Sequence, residues 1–186
     1  MKKPTQLQIC ACHESGHAVA LYRTGARISR VEVIEKNGFL EGECIYSHPA
    51  NWRDLDISHR LTRKLILAIC AGPCAEMKLT GNLFDASLYG HEVEYLLHRL
   101  KCLNRYQPPE GWTIEDFWAE YSGPARAFVE NVSNWKAIEA LAKELEQKRY
   151  LTGRQAVEII EKSYGSLLAS GSQMGGSLPP HCHGKE

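Results

Sequence analysis

Between Leu7 and Tyr22 the apolar residues Leu7, Ala11, Ala18 and Leu21 recur at near-helical spacing, and Thr24-Gly25 follows as a stop, so the pattern predicts a first helix there. The period then shortens. Ile28, Val31 and Val33, and after them Phe39 to Tyr46, are runs rich in β-branched and aromatic residues with Asn37-Gly38 between them, the signature of a β-hairpin. His48-Pro49-Ala50-Asn51 interrupts the pattern. Ile57, Leu61, Leu65, Ala68 and Ile69 then mark a second helix toward Gly72-Pro73, where proline predicts a kink or a restart, with Cys74 to Thr80 continuing to Gly81. A loop holding Asp85, Ser87 and Gly90 leads into a third amphipathic helix through Val93, Leu96, Leu97, Leu100 and Leu103, with Glu92 and Glu94 in its first turn. Beyond Pro108-Pro109, Thr113 is placed to cap a short helix containing Phe117 and Trp118. Pro124 opens a longer one, in which Phe128, Val132, Trp135, Ile138, Leu141 and Leu145 form one buried stripe. Thr152 with Gln155 three residues on is a capping-box spacing for a last helix through Val157 and Ile160. After Gly165 the chain turns Gly/Ser-rich. The expected organisation is a single mainly α domain with a short antiparallel β-hairpin over residues 1–164, and a flexible Gly/Ser/Pro tail over 165–186.

Composition narrows what such a domain does. The 186 residues, 44% of them hydrophobic, suffice for one core. Lysine and arginine number 22 against 22 acidic residues, and a neutral chain has no net field to attract nucleic acid or an anionic membrane surface. No apolar run approaches the roughly 20 residues of a membrane span, and the residues after Met1 lack the apolar stretch of a secretory signal, so a cytoplasmic protein is expected. Its seven cysteines, irregularly spaced, are then expected to be reduced and to pack as small apolar groups without a disulfide framework.

Candidate chemistry sits on the first helix. His13 and His17, at positions i and i+4, lie one turn apart on one face, so both can direct an imidazole nitrogen at one zinc ion. Glu14, offset around the helix, can then act as a general base on water activated by the ion and later deliver the proton to a leaving amine. Gly16 inside this helix costs about 1 kcal/mol relative to alanine and needs a packing or functional reason, room beside a metal being one. Two solvent-facing histidines on an ordinary amphipathic helix would explain the same spacing, but the small neighbours Ser15, Gly16 and Ala18 favour a closely packed site.

With these residues in view, Ala11-Cys12-His13-Glu14-Ser15-Gly16-His17-Ala18 resembles the Ala-x-His-Glu-Ala-Gly-His-Ala signature of the FtsH-type zinc metallopeptidase domain. Ala71-Gly72-Pro73-Cys74-Ala75-Glu76 is similar to that family's Ala-Gly-Arg-Ala-Ala-Glu segment. Val31, Val33 and Gly42 resemble its strand pair, and Leu141-Ala142, Leu151-Thr152-Gly153 and Ile159-Ile160 its closing helices. The resemblance implies a mainly α peptidase domain with Zn2+ held by His13, His17 and a third, carboxylate ligand, Glu14 as catalytic base, and extended polypeptide as substrate. In the family the third ligand is an aspartate opening a later helix, and no aspartate stands there in this chain. Glu92 takes the role in this reading, because Val93, Leu96, Leu100 and Leu103 then fall where that helix packs. Glu94 is the alternative, although its register puts His98 and Lys101 at apolar positions; His91 and Asp85 are further candidates. Glutamate is an acceptable zinc ligand.

The family normally carries membrane helices and an ATPase module. No Gly-x-x-x-x-Gly-Lys-Ser/Thr sequence occurs here, so any unfolding of substrates requires an ATPase or other protein in trans. The contrasting expectation is a catalytically inactive, zinc-stabilised interaction or regulatory module of the same fold. A small protease of the anti-repressor type is a third reading, and both a ring and a monomer are compatible with the chain. His181-Cys182-His183 reads as an adventitious metal binder in a flexible tail, Cys10 and Cys12 as packing groups, His48 and His59 as surface residues, and Trp112, Trp118 and Trp135 as core anchors.

Overall fold

In the computed structural model, which describes residues 3–47, 59–102 and 110–171, helix α1 (Gln6–Thr24) starts at a capping box formed by Thr5 and Gln8 and ends at a left-handed Gly25. It is the central element. Residues Cys10 to Gly16 and Ala18 to Leu21 are all buried, a helix enclosed nearly all round. On one side lies a hairpin of β1 (Arg27–Lys36) and β2 (Phe39–Ser47), joined by Asn37 and Gly38, both at positive φ as a tight hairpin turn requires. The antiparallel register sets Val33 opposite Gly42 and Val31 opposite Cys44, with an irregularity between Ile28 and Arg30. On the other side, α2 (His59–Thr80) crosses α1 in close contact. A Cβ at Gly16 would come 2.5 Å from the Ala71 carbonyl oxygen and 2.9 Å from Ala75 Cβ, so glycine is what permits that approach. The reason for Gly16 is therefore helix packing, and the room beside the histidines lies elsewhere.

The remaining helices are α3 (Ala86–Cys102), α4 (Ile114–Tyr121), α5 (Gly123–Glu130), α6 (Val132–Lys148) and α7 (Gly153–Gly171). α6 lays Ala137, Ile138, Leu141 and Leu145 against α1. Phe117, Trp118, Ala125 and Val129 complete the core, Trp112 and Trp135 packing partly buried against it. No helix among the described residues is long and apolar enough to cross a membrane.

The mainly α architecture with an antiparallel hairpin is as expected, with several corrections. A third strand, β3 (Tyr150–Thr152), pairs antiparallel with β1, giving the order β2-β1-β3; a three-residue strand between two helices carries too short a pattern to be read. α2 continues through Pro73 without restarting, because Gly72, lacking a Cβ, relieves the clash that proline imposes on the residue before it. α3 begins at Ala86: the Asp85 carboxylate accepts from the Ser87 N–H at 2.8 Å, capping the helix, so Gly90 and Glu92 lie inside it and not in a loop and first turn. The long helix after Pro124 is two, divided at an extended Asn131 whose side chain accepts from the Ser133 and Asn134 N–H groups. Val132, expected in the buried stripe, is accordingly 67% exposed at the start of α6. α7 runs on to Gly171, into the segment expected as tail. His48 and the His181-Cys182-His183 segment lie outside the described residues, as does the side chain of His59.

Candidate metal centre

Two imidazoles face one another on the side of α1 that meets α2. His13 and His17 approach with their Nε2 atoms 3.1 Å apart. Each ring is anchored at its other nitrogen. His17 Nδ1 donates to the Ala68 carbonyl at 2.8 Å, and His13 Nδ1 donates to the Glu76 carboxylate at 2.9 Å, both acceptors belonging to α2. A carbonyl can only accept, so His17 carries its proton on Nδ1 and its Nε2 presents a lone pair; the carboxylate imposes the same tautomer on neutral His13. Two nitrogens at this separation need either a proton or a metal cation between them. With Zn–N bonds of about 2.0–2.1 Å, the edge of a tetrahedral site is about 3.3 Å, close to the spacing of this pair.

The backbone leaves space there. A Cβ on Gly72 would fall 2.3 Å from His17 Nε2 and 2.8 Å from His13 Nε2, so the hollow that both lone pairs address exists because residue 72 has no side chain. Glu14 is buried, 7% exposed, and its carboxylate presses on β2, where a Cβ at Gly42 would come 2.3 Å from Oε1. Beside His17 and Glu14 opens a cleft of about 470 Å³, walled by Gly42 to Cys44 and Tyr46 of β2 and by His91 and Tyr95 of α3, and floored by Leu21, Ala68 and Ile69.

The sequence-predicted residues separate on this frame. His13 and His17 meet at their Nε2 atoms, and Glu14 lines the same cleft as His17. Glu94 is exposed, and so is His98, which a Glu94-ligand register would require to be packed. Val93 is buried at 1% exposure, as the Glu92 register requires. The side chain of Glu92 lies outside the described residues. Its position on α3, however, falls on the i±3 row between Tyr89, whose ring stacks on His13 at 6.1 Å, and Tyr95 in the cleft. Asp85 is engaged in capping α3, and its hydrogen bonds with Ser87 hold its carboxyl below the usual range. His91 lines the cleft. Among the described residues no three His, Cys, Asp or Glu side chains converge as a metal site.

Cys10 and Cys12 are buried, and burial, reinforced by nearby carboxylates, pushes both thiols up to about 12; they are neutral at pH 7 and pack as small apolar groups. Cys44, on the cleft wall, is pushed up by burial and then by Glu14. Sequence reasoning did not assign roles to Glu76, Ala68, Gly72 or Gly42. The run of small residues ending in Glu76 was the available signal for the first three, since only a close helix crossing needs it. No family model matches the chain, and no curated protein matches it significantly.

Proposed function

We propose that this chain is a zinc-dependent peptidase of the FtsH type, hydrolysing peptide bonds of unfolded or extended polypeptides. The observation that carries the reading is the His13–His17 pair, its two Nδ1 atoms held by acceptors and its two Nε2 atoms 3.1 Å apart over the hollow at Gly72. Anchoring of the distal ring nitrogen by a carboxylate or carbonyl is the arrangement that orients metal-ligating histidines. Glu92 is the third ligand in this reading, supported by the burial of Val93 and the exposure of Glu94 and His98.

Bound zinc supplies a Lewis acid that lowers the pKa of water to about 7 and polarises a carbonyl. Glu14, fixed between α1 and Gly42, takes the proton from the attacking water on its carboxylate and returns it to the departing nitrogen. β2, which among the described residues pairs only with β1, offers its outer edge as a template. An extended peptide hydrogen-bonded there would be held along the cleft by its main chain, without a required sequence. Folded substrates would need an ATPase in trans, and a cytoplasmic setting is part of this reading.

The test is Glu14→Gln. The variant is expected to keep its zinc and to lose about 10²-fold or more of its turnover of fluorescein-labelled casein, while His17→Ala loses the metal. A zinc-stabilised module without catalysis would show no effect of Glu14→Gln in any assay, and retained cleavage would remove Glu14 from its role.

A further inference from the structure

The cleft has walls of different chemistry. β2 contributes backbone, whereas α3 contributes two side chains with polar tips, His91 and Tyr95, one turn apart on the same face. The opposite side of α3 buries Tyr89 and Val93, which fixes the rotation of the helix and holds that face toward the strand. His91 is exposed and Tyr95 is 49% exposed, so a polypeptide in the cleft reaches both.

Strand geometry decides what these two groups would meet. Along an extended peptide paired with β2, successive carbonyls point alternately toward the strand and away from it. The first set is consumed by pairing with β2. The second set points across the cleft, to the α3 wall. A scissile carbonyl of the second set would have Glu14 on one side and His91 and Tyr95 of the α3 wall on the other, and attack by water would make its oxygen an anion in a partly enclosed site, where a fixed donor counts most.

On the peptidase reading given above, we propose that His91 and Tyr95 are catalytic residues, the imidazole N–H and phenol O–H donating to the scissile carbonyl oxygen and to the oxyanion formed from it. The balance is that of amide hydrolysis. Water forms the new C–O bond and gives one proton to Glu14, the C–N bond breaks, and Glu14 passes that proton to the departing nitrogen. Carboxylate and amine leave, and His91 and Tyr95 keep their own protons throughout.

The experiment compares zinc-loaded full-length chain with His91→Ala, His91→Gln, Tyr95→Phe and the His91→Ala/Tyr95→Phe double variant. It measures zinc content, kcat and KM on fluorescein-labelled casein, and binding of a phosphonamidate peptide, whose tetrahedral anion imitates the oxyanion. Zinc content is expected to stay unchanged and KM within about twofold. kcat is expected to fall about 10²-fold for His91→Ala and about tenfold for Tyr95→Phe, with His91→Gln recovering part of the loss and phosphonamidate affinity falling in parallel. Unchanged kcat and phosphonamidate binding in the double variant overturns the proposal. Loss of zinc from His91→Ala also overturns it, by making His91 a ligand. Zinc-loaded wild-type chain that leaves casein intact overturns the peptidase reading itself and this assignment with it.

Discussion

Gly72 has no side chain, yet more depends on it than on most residues of α2. Its Cα borders the hollow between the two Nε2 atoms, and the nearest group to a methyl added there would be His17 Nε2 at 2.3 Å. Gly72→Ala is therefore expected to weaken zinc binding about 10–100-fold and to lower stability by about 1–3 kcal/mol, read by competition with a chromophoric chelator and by urea unfolding. Unaltered zinc affinity in a folded Gly72→Ala protein would separate the hollow from the metal. Glu14 is constrained in the same manner by Gly42, from a different element. The histidines and the glutamate were legible in the sequence, because i, i+4 spacing on a helix is a local property. The roles of the glycines and Glu76 were not, although their segments were singled out: those roles come from atoms of α1 that reach them only after the chain has folded.

At the scale of elements, periodicity located the helices well and their ends less well. Phe128, Val132 and Trp135 keep a helical spacing across a point where the backbone is not helical, because Asn131 turns extended and restarts the helix with its own side chain. Asn131→Ala removes the acceptor for two N–H groups and is expected to cost about 1 kcal/mol in urea unfolding, with zinc binding unchanged. A cost under about 0.3 kcal/mol would mean that water serves those donors equally well. β3 was missed for a related reason: three residues carry no readable period, and Leu151 becomes a core residue only because β1 is there to pair with. α3 illustrates the reverse case, in which apolar spacing marked a position, Val93, that the fold buries. The burial of Val93 and the exposure of His98 follow from that pattern alone.

For the whole molecule, the Nδ1 donors of the two imidazoles come from α1 and their acceptors from α2, so on the proposed reading an ion at the Nε2 atoms would bind only while these helices are packed together. Saturating zinc is expected to raise the unfolding free energy by about 2.7 kcal/mol at a hundredfold excess over Kd, and EDTA to remove that gain. Thermal unfolding with and without EDTA checks this, and His17→Ala should abolish the difference; equal Tm values in wild type would exclude a metal bound preferentially by the folded state. The sequence by itself determined the mainly α class, the hairpin and the placing of His13, Glu14 and His17 on one helix, since each rests on residues within a turn or two of one another. Only the tertiary structure decided what surrounds those side chains. The second helix approaches closely because glycine and alanine line the crossing, and that approach delivers Glu76 and the Ala68 carbonyl to the imidazoles. β2 and α3 then form the cleft from segments far apart in the chain, which interact only once the core between them has formed.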